Sequence, residues 1–211
     1  TNQTPTQAEP GTPGQERWLR LALKIFADVG LVGLPNAGKS TLLSRVSKAR
    51  PKIADYPFTT LQPQLGIAEL PGHRRFVVAD IPGLIQGAHE RAGLGDEFLR
   101  HIERTRVLVH VIDVGSELAV STPAAAYATI RNELEKYSAE LAQKPELIVA
   151  SKIDVTGGGD AAKELSAAIG KEVLPISAVT GRGLPAALEL VWQLLEAARL
   201  EESAADNGAL T

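Results

Sequence analysis

Short apolar runs alternate along the chain with longer stretches in which apolar residues return every three or four positions. Residues 25–32, 107–114, 147–150 and 173–176 are brief and apolar enough to predict strands buried on both faces. Residues 64–70 and 74–80 read as two further strands joined by the turn Pro71-Gly72-His73. Ile130, Leu134, Tyr137 and Leu141 at helical spacing predict a helix opening at Thr122-Pro123 and running to about residue 143. Residues 160–169 predict a small alanine-rich helix. Over residues 184–199, Leu188, Val191, Leu194 and Leu195 form the apolar face of a closing helix. Residues 96–104 predict another, capped by Asp96 or the preceding loop, with Phe98, Leu99 and Ile102 inward. The alternation implies an α/β domain. It has a six-stranded, mostly parallel sheet, one antiparallel edge strand from the hairpin, and helices on both faces.

The ends differ from the middle. Residues 1–14 are rich in Thr, Gln, Pro and Gly and read as a flexible linker. The domain is expected over residues 15–199, entered by an edge strand around Trp18, Leu19, Leu21 and Leu23, with a frayed tail over 200–211. Two interior segments lack periodicity. Residues 48–63 carry three prolines and the pair Thr59-Thr60, and residues 81–95 carry glycines at 83, 87, 93 and 95. Loops that long inside a compact domain are usually functional.

Between the first strand and the helix beginning near Thr41 lies Gly33-Leu34-Pro35-Asn36-Ala37-Gly38-Lys39-Ser40-Thr41, which fits GxxxxGK[ST]. Backbone N–H groups of such a loop point inward, unpaired amides of the helix start join them, and Lys39 adds a full positive charge. Ser40 is placed to ligate a Mg²⁺ that bridges the last two phosphates of a nucleotide. A nucleoside di- or triphosphate is therefore the expected ligand, with Gly33 through Thr41 around its phosphates.

Bulk properties narrow the setting. The 211 residues hold one medium domain; 44% are hydrophobic and mean hydropathy is −0.01, as in a soluble globular protein. With no cysteine, disulfides and thiolate chemistry are excluded, and the composition agrees with a cytoplasmic location. No apolar run reaches the length of a membrane helix, which predicts no membrane partner. A net charge of −3 argues against a generally basic nucleic-acid binder. The chain starts at threonine and has no methionine, which reads as a segment of a longer protein or a processed one.

Three stations at strand ends bear on the chemistry. Asp80-Ile81-Pro82-Gly83 offers a Mg²⁺-binding acid and a backbone N–H able to reach a terminal phosphate; a plain strand-end aspartate before a Pro-Gly turn is the competing reading. Thr59-Thr60 offers a hydroxyl that reaches the metal only when the terminal phosphate is present. Ser151-Lys152-Ile153-Asp154 with Ser177-Ala178-Val179 suits a base: a buried Asp154 carboxylate would accept from the ring N–H and amino group of guanine, a donor pair adenine lacks. Lys152 would lie along the base or ribose, and the Ala178 N–H would meet the guanine carbonyl.

The set GLPNAGKST, YPFTTLQPQLG, DIPGLIQGAHERAGLGDEFLRHIERTRVLVHVID, SKID and SA resembles the GTP-binding domain of the Obg family from about residue 14 to residue 198. The resemblance implies a Ras-like P-loop fold, Mg²⁺-dependent GTP hydrolysis to GDP, Thr60 as the metal-binding switch threonine, and the large ribosomal subunit (RNA and protein) as partner of a monomer. Lys39, Asn36, Thr60 and Gly83 would carry catalysis; Ser40, Thr60 and Asp80 would hold the metal. The family usually has asparagine where this chain has Ser151, so nucleotide binding weaker by about 1 kcal/mol is expected. Leu84 stands where Ras-type enzymes carry a water-orienting glutamine, which implies slow intrinsic turnover. In similar loops the asparagine at Asn36 helps hold K⁺, so K⁺-stimulated hydrolysis is expected, with loop shaping as the competing role. His89, Glu90 and Arg91 are further water-positioning or partner-facing candidates. Two other functions remain open. One is a nucleotide-gated RNA- or protein-binding module touching phosphates through Lys48, Arg50, Lys52, Arg100, Arg104 and Arg106. The other is an ATPase of a sister family.

Overall fold

The structure is a computed structural model that describes residues 27–48, 51–53, 64–80, 105–116, 121–155 and 159–208, with isolated residues 11, 14, 16 and 103. Chain order is β1 (Val29–Val32), α1 (Lys39–Val46), β2 (Lys52–Ile53), β3 (Gln64–Leu70), β4 (Arg74–Asp80), β5 (Val107–Asp113), α2 (Pro123–Tyr137), α3 (Ala139–Ala142), β6 (Glu146–Ser151), α4 (Asp160–Ile169), β7 (Leu174–Pro175) and α5 (Leu184–Gly208). The strands form one sheet in the order β2-β3-β4-β1-β5-β6-β7. All neighbouring pairs are parallel except β2 with β3 and β3 with β4.

The six strands expected for the sheet from residue 25 onward are present, and the edge strand expected around Trp18 lies outside the described residues. The sheet adds the two-residue β2, formed inside the stretch expected to be a loop, so the reversed strand β3 lies one place in from the edge instead of forming it. Two short contacts also cover the outer side of β3: Lys48 N–H donates to the Ile67 carbonyl, and Ile67 N–H to Ser47 Oγ. The β3–β4 turn places Gly72 at φ 78° and His73 at φ 59°, the left-handed geometry a tight hairpin needs.

β5 displays the two-sided burial that its apolar run predicts. Val107, Val109 and Val111 join a core with Leu42 and Leu43 of α1 and Leu184, Val191 and Leu195 of α5. On the other face, Leu108 packs with Ile130, Leu134 and Leu141, and Ile112 with Ala162 and Leu165. Each fully buried aliphatic side chain contributes roughly 1.5–3 kcal/mol, so both faces hold the sheet.

Two helix expectations are corrected. The helix from Thr122 to about 143 breaks at Ser138, which is extended (φ −155°, ψ 122°) and whose hydroxyl caps α3 by accepting from Leu141 N–H. Its start holds, with Thr122 accepting from Ala125 N–H and Pro123 in the first turn. The tail expected to fray from Leu200 instead continues α5 to Gly208, and Glu202 on it pairs with Arg106 at 2.8 Å. Thr59, Thr60, Ile81, Pro82, Gly83, Leu84, His89, Glu90, Arg91 and residues 96–102 lie outside the described residues, as do Arg50 and most of residues 1–26.

Candidate functional site

In this sheet order β4 lies on one side of β1 and β5 on the other, so the chain leaves β1 at the point where strand order reverses. Parallel sheets bind ligands beyond the carboxyl ends of their strands at such a point, and residues 33–38 occupy it.

Gly33 (φ 148°) runs so close to β5 that a Cβ there would stand 2.3 Å from the Val111 carbonyl oxygen. Only glycine fits. Leu34 is half-buried, Pro35 and Asn36 are exposed, and Ala37 is buried with its N–H on the Leu34 carbonyl. Asn36 (φ 61°) and Gly38 (φ 97°) are left-handed, and Gly38 starts α1 with no side-chain cap. Ordinary helices satisfy their first amides with a capping side chain; Gly38 supplies none, which suits an anion site at the start of α1.

Lys39 reaches back across the loop and donates to the Gly33 carbonyl at 2.8 Å and the Leu34 carbonyl at 3.0 Å. Burial pushes its ammonium below the ordinary lysine value, with the Asp80 charge working against that shift. Ser40 donates to Asp80 Oδ2 at 2.6 Å, while Thr41 is exposed on the next turn. Asp80 is 6% exposed, and its Oδ1 is buried with no hydrogen-bond partner among the described residues. No three His, Cys, Asp or Glu side chains converge there or elsewhere among the described residues. A hard cation fits this pair through one carboxylate, one hydroxyl, water and phosphate oxygens, the environment Mg²⁺ favours.

The second half of the site hangs on β6. Ser151 is buried and donates to the Ala37 carbonyl at 2.7 Å and the Ile112 carbonyl at 3.1 Å, joining this loop to the phosphate loop. Lys152 is left-handed (φ 62°), and its Nζ donates to Asp113 Oδ2 at 2.6 Å. Asp113 Oδ1 accepts from Gly115 and Ser116 N–H, which fixes the carboxylate from both sides. Ile153 N–H meets the Ile176 carbonyl, tying in the loop after β7. That loop is turned on itself: buried Ser177 accepts from Thr180 N–H, Ala178 is half-buried, and Val179 is 70% exposed. Asp154 corrects one expectation, because it is exposed instead of buried.

The structure thus brings together Gly33 to Thr41, Asp80, Ser151, Lys152 and the Ser177 loop. Asp113 escaped the sequence reading. Its signal was an acid ending an apolar strand, the same signature as Asp80. Arg106 is also corrected as a phosphate-contact candidate, since it is bound to Asp28 at 3.2 Å and to Glu202. Lys48 pairs with Glu69 at 2.6 Å.

A family model described as 50S ribosome-binding GTPase matches residues 28–152. The GTPase Obg of Aquifex aeolicus (strain VF5) is 56% identical over 207 residues, covering 97% of this chain and 60% of the relative. The chain spans between about half and three fifths of the length of the curated relatives it matches. Among solved structures, the G domain of the T. maritima FeoB iron transporter aligns with TM-score 0.59 at 22% identity, over 79% of this chain and 96% of that one. An Aquifex aeolicus Era variant bound to GDP and aluminium fluoride aligns with TM-score 0.58 at 25% identity, over 81% of this chain and 56% of that one.

Proposed function

The chain belongs to the 50S ribosome-binding GTPases as an Obg-family GTP-binding domain, and from that premise we propose that it binds guanine nucleotides with Mg²⁺ and hydrolyses GTP slowly to GDP and phosphate. The observation that carries the proposal is the pair Ser40 and Asp80 beside the uncapped start of α1, with a buried carboxylate oxygen that has no partner among the described residues.

In this reading the loop amides and Lys39 hold the phosphate tail, and Lys39 exchanges two loop carbonyls for phosphate oxygens. Ser40 and Asp80 hold Mg²⁺, which when bound neutralises charge developing on the phosphates. Thr60 and Gly83 take part through the family resemblance alone. Asp154, open to solvent at the edge of its loop, meets the guanine donors, with Lys152 braced by Asp113 beneath. Asn36, left-handed and exposed beside the phosphates, suits a K⁺ contact; turnover in K⁺ should exceed turnover in Na⁺, and equal rates would remove that role. The partner is the large ribosomal subunit and the setting the cytoplasm. Among the described residues no helix is long and apolar enough to cross a membrane.

The test compares GTP and ATP binding and turnover with Mg²⁺, with and without ribosomal large subunits. Tighter GTP binding with stimulated hydrolysis is expected. Equal or tighter ATP binding would replace this reading with the ATPase one. Subunit binding that depends on GTP without stimulation would favour a gated binding module.

A further inference from the structure

Ser151 sits where base loop, phosphate loop and β5 meet, and it is 4% exposed. A hydroxyl owns one proton. Both contacts of Ser151 Oγ are with carbonyl oxygens, Ala37 at 2.7 Å and Ile112 at 3.1 Å, so that proton is already divided between two acceptors inside the protein. Among the described residues the neighbouring side chains offer no replacement donor. Lys152 is engaged by Asp113 at 2.6 Å, Asp154 as a carboxylate only accepts, and Ser177 is fully buried inside its own turn. An asparagine would behave differently, because two amide protons let it serve the Ala37 carbonyl and a base acceptor together.

We infer that Ser151 leaves the N7 acceptor of a bound guanine unread, so that the base is selected through its N1–H, 2-amino and carbonyl groups alone. The inference rests on the guanine-nucleotide reading above and deepens it. Ser151 is then a tie between loops, and the chain tolerates changes on the imidazole side of the purine that a chain with asparagine rejects.

The probes are GDP, 7-deaza-GDP, which lacks the N7 acceptor, and IDP, which lacks the 2-amino donor, each titrated with Mg²⁺ against the wild-type chain and Ser151→Asn. Wild type should bind 7-deaza-GDP within about threefold of GDP, since less than one net hydrogen bond separates them. IDP should bind more weakly than GDP by about tenfold, because Asp154 loses a donor. Ser151→Asn should prefer GDP over 7-deaza-GDP by about fivefold more than wild type does. A wild-type preference for GDP over 7-deaza-GDP beyond about threefold overturns the inference while leaving the guanine reading intact. An unchanged preference in Ser151→Asn overturns it too, since position 151 would then not face N7. Failure of wild type to bind GDP at all removes the guanine reading and this inference with it.

Discussion

Two aspartates at opposite ends of neighbouring parallel strands show how this fold divides its polar groups. Asp28 precedes β1, and Asp80 closes β4 opposite Leu31 of β1. Every oxygen of Asp28 has a partner: Oδ1 accepts from Arg106 at 3.2 Å and Arg199 at 3.1 Å, and Oδ2 from Val77 N–H at 2.9 Å. Arg106 continues to Glu202 and Arg199 lies over Trp192, so the amino end of the sheet is locked to α5. Asp80 is more deeply buried, yet among the described residues one of its oxygens has no partner and the other meets a serine. Leaving a buried acceptor unpaired costs roughly 1–3 kcal/mol. The amino end of the sheet saturates its carboxylate; the carboxyl end, the proposed ligand end, carries an acceptor unpartnered among the described residues.

The largest expected effect falls on the saturated end. Asp28→Ala removes one partner from each of two arginines and leaves the Val77 amide without its acceptor, and should lower unfolding free energy by about 3 kcal/mol in denaturant titrations. Nucleotide affinity of the folded fraction should hold. At the ligand end, Lys39→Ala should weaken GDP binding by about 100-fold with little change in ligand-free stability, reflecting loss of charge-assisted contacts. Equal damage to stability and affinity in either variant would erase the contrast.

Glu146 sharpens it as a second saturated carboxylate. Its Oε1 accepts from His110 Nδ1–H at 2.9 Å, and Arg131 and Lys171 lie 3.7 and 3.6 Å from Oε2. Burial pushes its pKa up, but the His110 hydrogen bond and the nearby Arg131 and Lys171 outweigh burial and leave it below the ordinary 4.5. A depressed carboxylate stabilises the fold above its unfolded value, and that contribution disappears as pH falls through the folded one. Glu146→Gln should therefore cost about 2 kcal/mol near neutrality and flatten the loss of stability below that range. A variant with an unaltered acid limb would exclude Glu146 as its source.

Asp113 is the intermediate case, a saturated carboxylate at the ligand end. Asp113→Asn should leave melting nearly unchanged and weaken guanine-nucleotide binding by about fivefold, because Lys152 loses its brace. Weakening of phosphate-only ligands such as pyrophosphate by the same factor would show that Asp113 does not act through the base loop.

Local chemistry explains what the sequence revealed. The phosphate loop was legible because a short apolar strand, glycines needing left-handed φ and a lysine-serine pair sit within one contiguous stretch. Four of the strands followed from apolar runs, and β3 and β4 from the turn that joins them. The break at Ser138 was hidden because Leu141 keeps the helical apolar spacing across it, while the hydroxyl cap that restarts the helix depends on backbone geometry. The length of α5 past Leu200 was hidden too. Glu202 is held by Arg106, 96 residues earlier, and no local pattern announces that pairing. The Asp113–Lys152 brace spans 39 residues and is equally silent. The exposure of Asp154 has no local signal, because an acid after an apolar strand can be enclosed by protein or presented outward, as it is here.

The most direct test is the Mg²⁺ dependence of GDP binding in wild type and in Asp80→Asn, with the ligand-free melting temperature of each. Mg²⁺ should tighten GDP binding in wild type. Asp80→Asn should lose that tightening, by about 10- to 100-fold in affinity, and melt no lower than wild type without ligand. An Asp80→Asn chain that responds to Mg²⁺ as wild type does would contradict the assignment of this carboxylate to the metal end of the phosphate site.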